Sequence, residues 1–158
     1  MATTKTSTKN ARPARAAENV WTDEERAAMQ ESARERKASS RRGKGDERAE
    51  GEADLRAKIA EMPEAERGMA DRIHAIITDA VPALAPKTYY GMPAWARDGK
   101  IICFFQPASK FKVRYSTFGF QPDANLDDGE MFPIAWAIKR LSAADEKRIA
   151  ALVKQAVS

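Results

Sequence analysis

One cysteine and one histidine are all that this 158-residue chain holds of two residue types that often bind transition metals or attack substrates. Cys103 alone cannot close an intramolecular disulfide, so the fold must rest on packing, as expected in a reducing compartment. With His74 as its only companion, it cannot supply the four ligands of a structural zinc site from one chain. No apolar run approaches the roughly 18 residues of a membrane span, and the Met-Ala-Thr-Thr-Lys start lacks the apolar stretch of a secretory signal. A cytoplasmic protein without membrane association is expected. Phosphate-loop spacing is also missing: Arg42-Gly43-Lys44-Gly45 does not match Gly-x-x-x-x-Gly-Lys-Ser/Thr, which leaves nucleotide hydrolysis unsupported. Neither sign of charge dominates, with 27 Lys and Arg against 23 Asp and Glu.

Large apolar residues are scarce in the first third, where Met1, Val20, Trp21 and Met29 are the only ones before residue 55. The core must therefore come from the remaining two thirds of the chain. Residues 2–17 carry Lys5, Lys9, Arg12 and Arg15 with no acid, a composition expected to stay disordered. Thr22 and Glu25 have capping-box spacing and open a helix to about Ala38. It has almost no apolar inner face, so a marginal helix is expected. Residues 39–52, with three glycines among basic and acidic residues, read as a flexible linker. On this reading residues 1–52 are a charged, mostly disordered extension, and residues 53–158 form the folded domain.

Leu55, Ile59 and Met62 have helical spacing, and Pro63 suits the first turn of a further helix. Met69, Ile73, Ile76, Ile77 and Ala80 then form one apolar stripe that ends before Pro82. Aromatic and β-branched residues punctuated by turn signals predict strands at about 88–96, 100–106 and 111–118. Asp98-Gly99 predicts a two-residue turn that sets Arg97 opposite Lys100, Trp95 opposite Ile102, Ala94 opposite Cys103 and Pro93 opposite Phe104. Ile101 to Phe105 is apolar on both faces and belongs in the centre of a covered sheet, whereas Pro93 marks an edge or a bulge. Phe111, Val113 and Tyr115 alternate with Lys112 and Arg114 as one buried and one solvated face. A short strand is expected around 132–138, and Ser142 with Asp145 caps a last helix striped by Ile149, Leu152, Val153, Ala156 and Val157. The sum is an α+β fold, an antiparallel β-meander of three to five strands packed against N-terminal and C-terminal helices.

Few residues offer chemistry. His74 lies beside an apolar helical stripe with no nucleophile to activate, and Cys103 sits mid-strand, where a thiol packs as a small hydrophobe. Asp123, Asp127, Asp128 and Glu130 imitate part of a calcium loop, but Asp128 and Ile134 stand where Gly and Glu are required, so an acidic turn is expected. Weak cation binding by these carboxylates is the metal chemistry left. Lys110, Lys112 and Arg114, interleaved with aromatics and backed by the basic arm, form a surface suited to phosphate and stacked bases.

Tyr90-Gly91-Met92-Pro93-Ala94-Trp95, followed by Asp98-Gly99-Lys100, an apolar strand and Lys110-Phe111-Lys112, resembles the YdhG-like family of small bacterial domains of unknown function. The likeness covers about residues 53–157. It implies a compact frataxin-like α+β fold and, by analogy with some members, an iron chaperone that serves iron-sulfur or haem assembly proteins. Exposed carboxylates suit labile iron, and the acids such a role would draw on are Glu61, Glu64, Glu66 and Asp71 together with Asp123, Asp127, Asp128 and Glu130. The chain is thus expected to be a non-enzymatic binding or chaperone domain with iron as its ligand, or else a nucleic-acid-associated protein acting through Lys110, Lys112 and Arg114.

Overall fold

A computed structural model describes residues 20–41, 43 and 47–158; the arm at 2–17 lies outside the described residues. Among the described residues, four helices, α1 (Asp23–Arg41), α2 (Glu47–Ala60), α3 (Glu64–Ala80) and α4 (Ala143–Ala156), accompany five strands, β1 (Ala85–Tyr89), β2 (Met92–Arg97), β3 (Lys100–Gln106), β4 (Ser116–Phe120) and β5 (Ala135–Ile138). All strand pairs are antiparallel and the sheet order is sequential, β1-β2-β3-β4-β5, so the fold is the α+β meander that the patterning predicts. Apolar stripes of the helices meet the sheet in one core, in which Leu55 and Ile59 of α2, Ile73 and Ile77 of α3 and Val153 of α4 pack with Trp95, Cys103, Phe105 and Phe118. None of the described helices is long and apolar enough to cross a membrane.

The segment expected to be one strand at 88–96 is two. Tyr90 and Gly91 both have positive φ, 51° and 75°, and form a two-residue turn closed by the pair Tyr89 and Met92. Such a turn needs left-handed conformations at both positions. Glycine takes one freely, but tyrosine is an unusual occupant of the other, which hid the turn. Asp98-Gly99 is the turn expected, with φ of 52° and 77° and Arg97 opposite Lys100. Beyond it the register slips by one: Ala96 faces Ile101 but Trp95 faces Cys103, and Ala94 faces Phe104. Ile102 is the extra residue of this bulge, and it allows consecutive residues Ile102 and Cys103 both to be buried. Pro93 lies just past the last pair of the β2–β3 ladder, on a strand with neighbours on both sides.

Residues 111–115 are not a strand. A 3-10 turn at Ala108–Lys110 and a left-handed Lys112 (φ 53°) lead into a loop, fastened where Ser116 Oγ accepts the Ala108 N–H at 3.0 Å and Ala108 O accepts the Val113 N–H. Val113 and Tyr115 are exposed, so the alternation of apolar and basic residues does not mark a buried face. Arg114 instead lies over the Tyr115 ring, which shields apolar surface on the outside of the molecule.

Helical structure also reaches further toward the N-terminus than the apolar pattern indicates. The boundary drawn at residues 52 and 53 falls inside α2, which begins at Glu47. Gly51, within α2, is buried where a Cβ would stand 2.1 Å from the Pro86 carbonyl oxygen, so glycine lets the helix touch β1. α1 opens with the expected capping box, in which Glu25 Oε2 accepts the Thr22 N–H at 2.8 Å and Thr22 Oγ1 accepts the Glu25 N–H at 3.1 Å.

Candidate functional site

The most concentrated polar chemistry among the described residues lies where α1 meets the β1–β2 turn. Positive φ at Tyr90 and Gly91 turns both amide N–H groups toward one point. Glu35 occupies it, with Oε2 accepting from Tyr90 at 2.9 Å and Oε1 accepting from Gly91 at 2.8 Å. Successive backbone N–H groups in a turn form such anion-holding concavities because their dipoles converge. One helical turn earlier, Glu31 lies 3.1 Å from Lys58 of α2 and 3.5 Å from Lys110. Near the start of the helix, Glu24 meets Lys112 at 2.6 Å.

Glu24, Ala28, Glu31, Ser32 and Glu35 thus share one face of α1, at the three-to-four-residue spacing of a helix. Only Ala28 and Ser32 are buried on α1. This face is a row of carboxylates separated by small side chains, so a search for apolar periodicity finds nothing there. Polar residues at the same spacing opposite a cluster of lysines were the available signal. Gly91 is favoured by its left-handed φ, and an added Cβ would also push aside the Glu31 carboxylate and the Lys110 ammonium.

Charges respond to this arrangement. Burial alone pushes the Lys58 ammonium down, but Glu31 and Glu61 outweigh it and raise its pKa. The hydrogen bond from Lys112 holds the Glu24 carboxyl below its ordinary range, and the same contact raises Lys112. Two cavities of about 250 and 340 Å³ flank Glu35, one toward α2 and one toward Tyr89 and Tyr90.

A second polar cluster ties α2, α3 and β2 together. The Trp95 indole N–H donates to His74 Nδ1 at 3.1 Å, which leaves Nε2 to donate to Glu52 Oε1 at 2.8 Å; Arg56 also pairs with that oxygen, at 2.7 Å. The tautomer follows from the partners, since indole only donates and carboxylate only accepts. Burial pushes the Glu52 carboxyl up, but the hydrogen bond with His74 and the charge of Arg56 outweigh it, and the pKa lies below 4.5. Both ring nitrogens of His74 are engaged, and the ring is buried. The helix-flank histidine is therefore a strut between elements.

Burial pushes the Cys103 thiol far up, where thiolate is negligible. The residues expected to take iron do not gather: among the described residues, no three His, Cys, Asp or Glu side chains are grouped to hold a metal ion. Ala124 and Leu126 are buried and anchor their loop, while Asp123, Asp127, Asp128 and Glu130 are all exposed; Asp123 faces Lys100 at 3.6 Å. Just past α2, Glu61 approaches Lys58; on α3, Glu66 accepts from Ser109 N and Oγ, and Glu64 and Asp71 are exposed. Of the phosphate-contact candidates, Lys110 and Lys112 come together under α1, each against one of its acids, whereas Arg114 packs on Tyr115. Comparison of the chain with protein-family models, with curated proteins and with solved structures finds no match.

Proposed function

We propose that this chain is a non-enzymatic binding domain that recognises a carboxylate-bearing protein segment at the Tyr90-Gly91 turn, with Lys58 and Lys110 as flanking cations. The observation that carries the reading is the grip on Glu35, whose two oxygens take one backbone N–H each at 2.8 and 2.9 Å. Charge-assisted bonds to fixed amides are stronger than bonds between neutral groups and select planar oxyanions by geometry. The turn lies within the Tyr-Gly-Met-Pro segment that carries the YdhG-like resemblance, which gives that segment a binding role alongside its role in the fold. An iron chaperone acting through Asp123, Asp127, Asp128 and Glu130 draws no support from their separate, outward placement.

The test uses the full chain with Glu31→Gln and Glu35→Gln, which strips both carboxylate charges from the contact without touching Tyr90, Gly91, Lys58 or Lys110. Addition of an unlabelled synthetic peptide of residues 20–41 to the ¹⁵N-labelled protein should shift the Tyr90 and Gly91 amide resonances. The same peptide with Gln at 31 and 35 should not. Unmoved turn amides at millimolar peptide would refute the reading.

One observation favours nucleic acid as a second reading: Lys58, Lys110 and Lys112 follow one seam, each already matched to a carboxylate of α1. A row of carboxylates on cations is the contact that phosphates would make. Binding to a single-stranded oligonucleotide would then weaken steeply with salt, and Lys110→Gln would reduce the slope of log K against log salt by about one.

A further inference from the structure

We infer that α1 is a displaceable internal ligand, and that the surface beneath it takes in its place a helix of a partner protein bearing two carboxylates four residues apart; this rests on the recognition reading above. Glu31 and Glu35 lie one helical turn apart, a separation that sets one carboxylate between Lys58 and Lys110 and the other on the turn amides. Any helix with Glu at i and i+4 presents the same pair. The lysines and amides thus define the chemistry of the occupant, and α1 exemplifies it.

α1 is also poorly held by anything else. α2 sinks Leu55 and Ile59 into the core, whereas α1 buries only Ala28 and Ser32 and leaves Met29 38% exposed, with Trp21 just before the helix 54% exposed. Open cavities of about 250 and 340 Å³ run along both sides of its contact with the turn. Its links are ion pairs and the two amide hydrogen bonds to Glu35, and Lys112 and Glu24 meet at the surface, where salt screens them. In the sequence only residues 42–46, two of them glycine, join α1 to α2. A ligand tethered so closely acts at high effective concentration, so a partner must match its carboxylate pair and add contacts of its own. With α1 competing for the surface, the apparent affinity for that partner is the intrinsic affinity multiplied by the fraction of time the surface is free.

The experiment compares the wild-type chain with the Glu31→Gln/Glu35→Gln variant, each titrated into a fluorescein-labelled peptide of residues 20–41 and followed by anisotropy. The expected Kd is about tenfold lower, or more, for the variant, as when a tenth or less of the wild-type surface is free. Glu24→Gln should give a smaller gain in the same direction. Equal affinities would overturn displacement and leave recognition standing, whereas no binding to either chain would overturn both. Tighter binding of a single-stranded oligonucleotide than of the peptide by the variant would reject the acidic helix in favour of nucleic acid. Amide hydrogen exchange on the unmodified protein gives a measurement independent of the variants. The α1 amides and those of Tyr90 and Gly91 should exchange together, faster than α2, and about tenfold faster at 1 M than at 0.05 M salt. Exchange of α1 as slow as α2 at both salt concentrations would overturn the inference.

Discussion

Replacing Trp95 with phenylalanine tests whether the Trp95–His74–Glu52 chain holds the core together. The indole is 1% exposed, and its N–H is the donor to Nδ1 of a histidine that is itself buried. Phenylalanine keeps the aromatic plane but has no donor, which leaves Nδ1 unsatisfied at a cost of about 1–3 kcal/mol. The smaller ring also gives up about two buried carbons, worth roughly 1.5 kcal/mol at about 0.8 kcal/mol each. Together these predict a loss of about 2.5–4.5 kcal/mol, a large share of the roughly 5–15 kcal/mol that stabilises a typical domain. In a protein of this size the midpoint of thermal unfolding should fall by about 2–4 °C for each kcal/mol lost. Urea unfolding followed by far-ultraviolet circular dichroism measures the loss without relying on tryptophan emission. A companion His74→Leu substitution removes the stranded acceptor, and Glu52, 35% exposed, can turn to water. The double variant should therefore lose less than the two single losses combined, by about 1 kcal/mol or more. A loss below about 1 kcal/mol for Trp95→Phe, or strict additivity in the cycle, would refute the reasoning.

Three more outcomes are expected. Gly91→Ala places a side chain at a φ of +75° and against Glu31, so about 1–2 kcal/mol of backbone strain should add to the loss of α1 docking, read as faster exchange of α1 amides while α2 is unchanged. Gly51→Ala gains about 1 kcal/mol of helix propensity but meets backbone oxygen at 2.1 Å. Overpacking of about 1–3 kcal/mol, at the upper end against rigid backbone, should win and lower the urea midpoint. Glu52, Glu24 and Asp145 all have carboxyl pKa values below their unfolded values of 4.5, 4.5 and 3.8. Their stabilisation is complete above those values and is lost as pH falls through the lower folded ones, so the contribution of these three carboxyls to the unfolding free energy should be constant above about pH 5 and decline below about 4.5. A level profile down to pH 3 would contradict the assigned partners.

The elements legible in the sequence are those whose signals are local and strong. The apolar stripe of α3, the Asp98-Gly99 turn and the Ser142–Asp145 cap of α4 each depend on residues a few positions apart. What escaped depends on distant partners. The bulge at Ile102 brings two consecutive residues into the core, an outcome that strict alternation cannot represent. Phe111, Val113 and Tyr115 match a strand pattern, but the 3-10 turn before them and the left-handed Lys112 leave no ladder to join. For the site, the lysine at 110 was legible as an anion-binding candidate, while its actual counterion, Glu31, lies 79 residues away. Nothing near either residue announces that pairing. The Tyr90 amide likewise became a functional group only through a backbone conformation that tyrosine seldom adopts.

The sequential strand order bears on how quickly this sheet can assemble. β1, β2 and β3 are joined by two connections of two residues each, so these ladders close with very little chain to immobilise first. The β4–β5 ladder must bridge residues 121–134, and α4 reaches α3 only after the whole meander has been traversed. Short-range closure favours rapid formation. The turn that grips Glu35 is therefore expected to close among the first parts of the sheet, ahead of the β4–β5 margin.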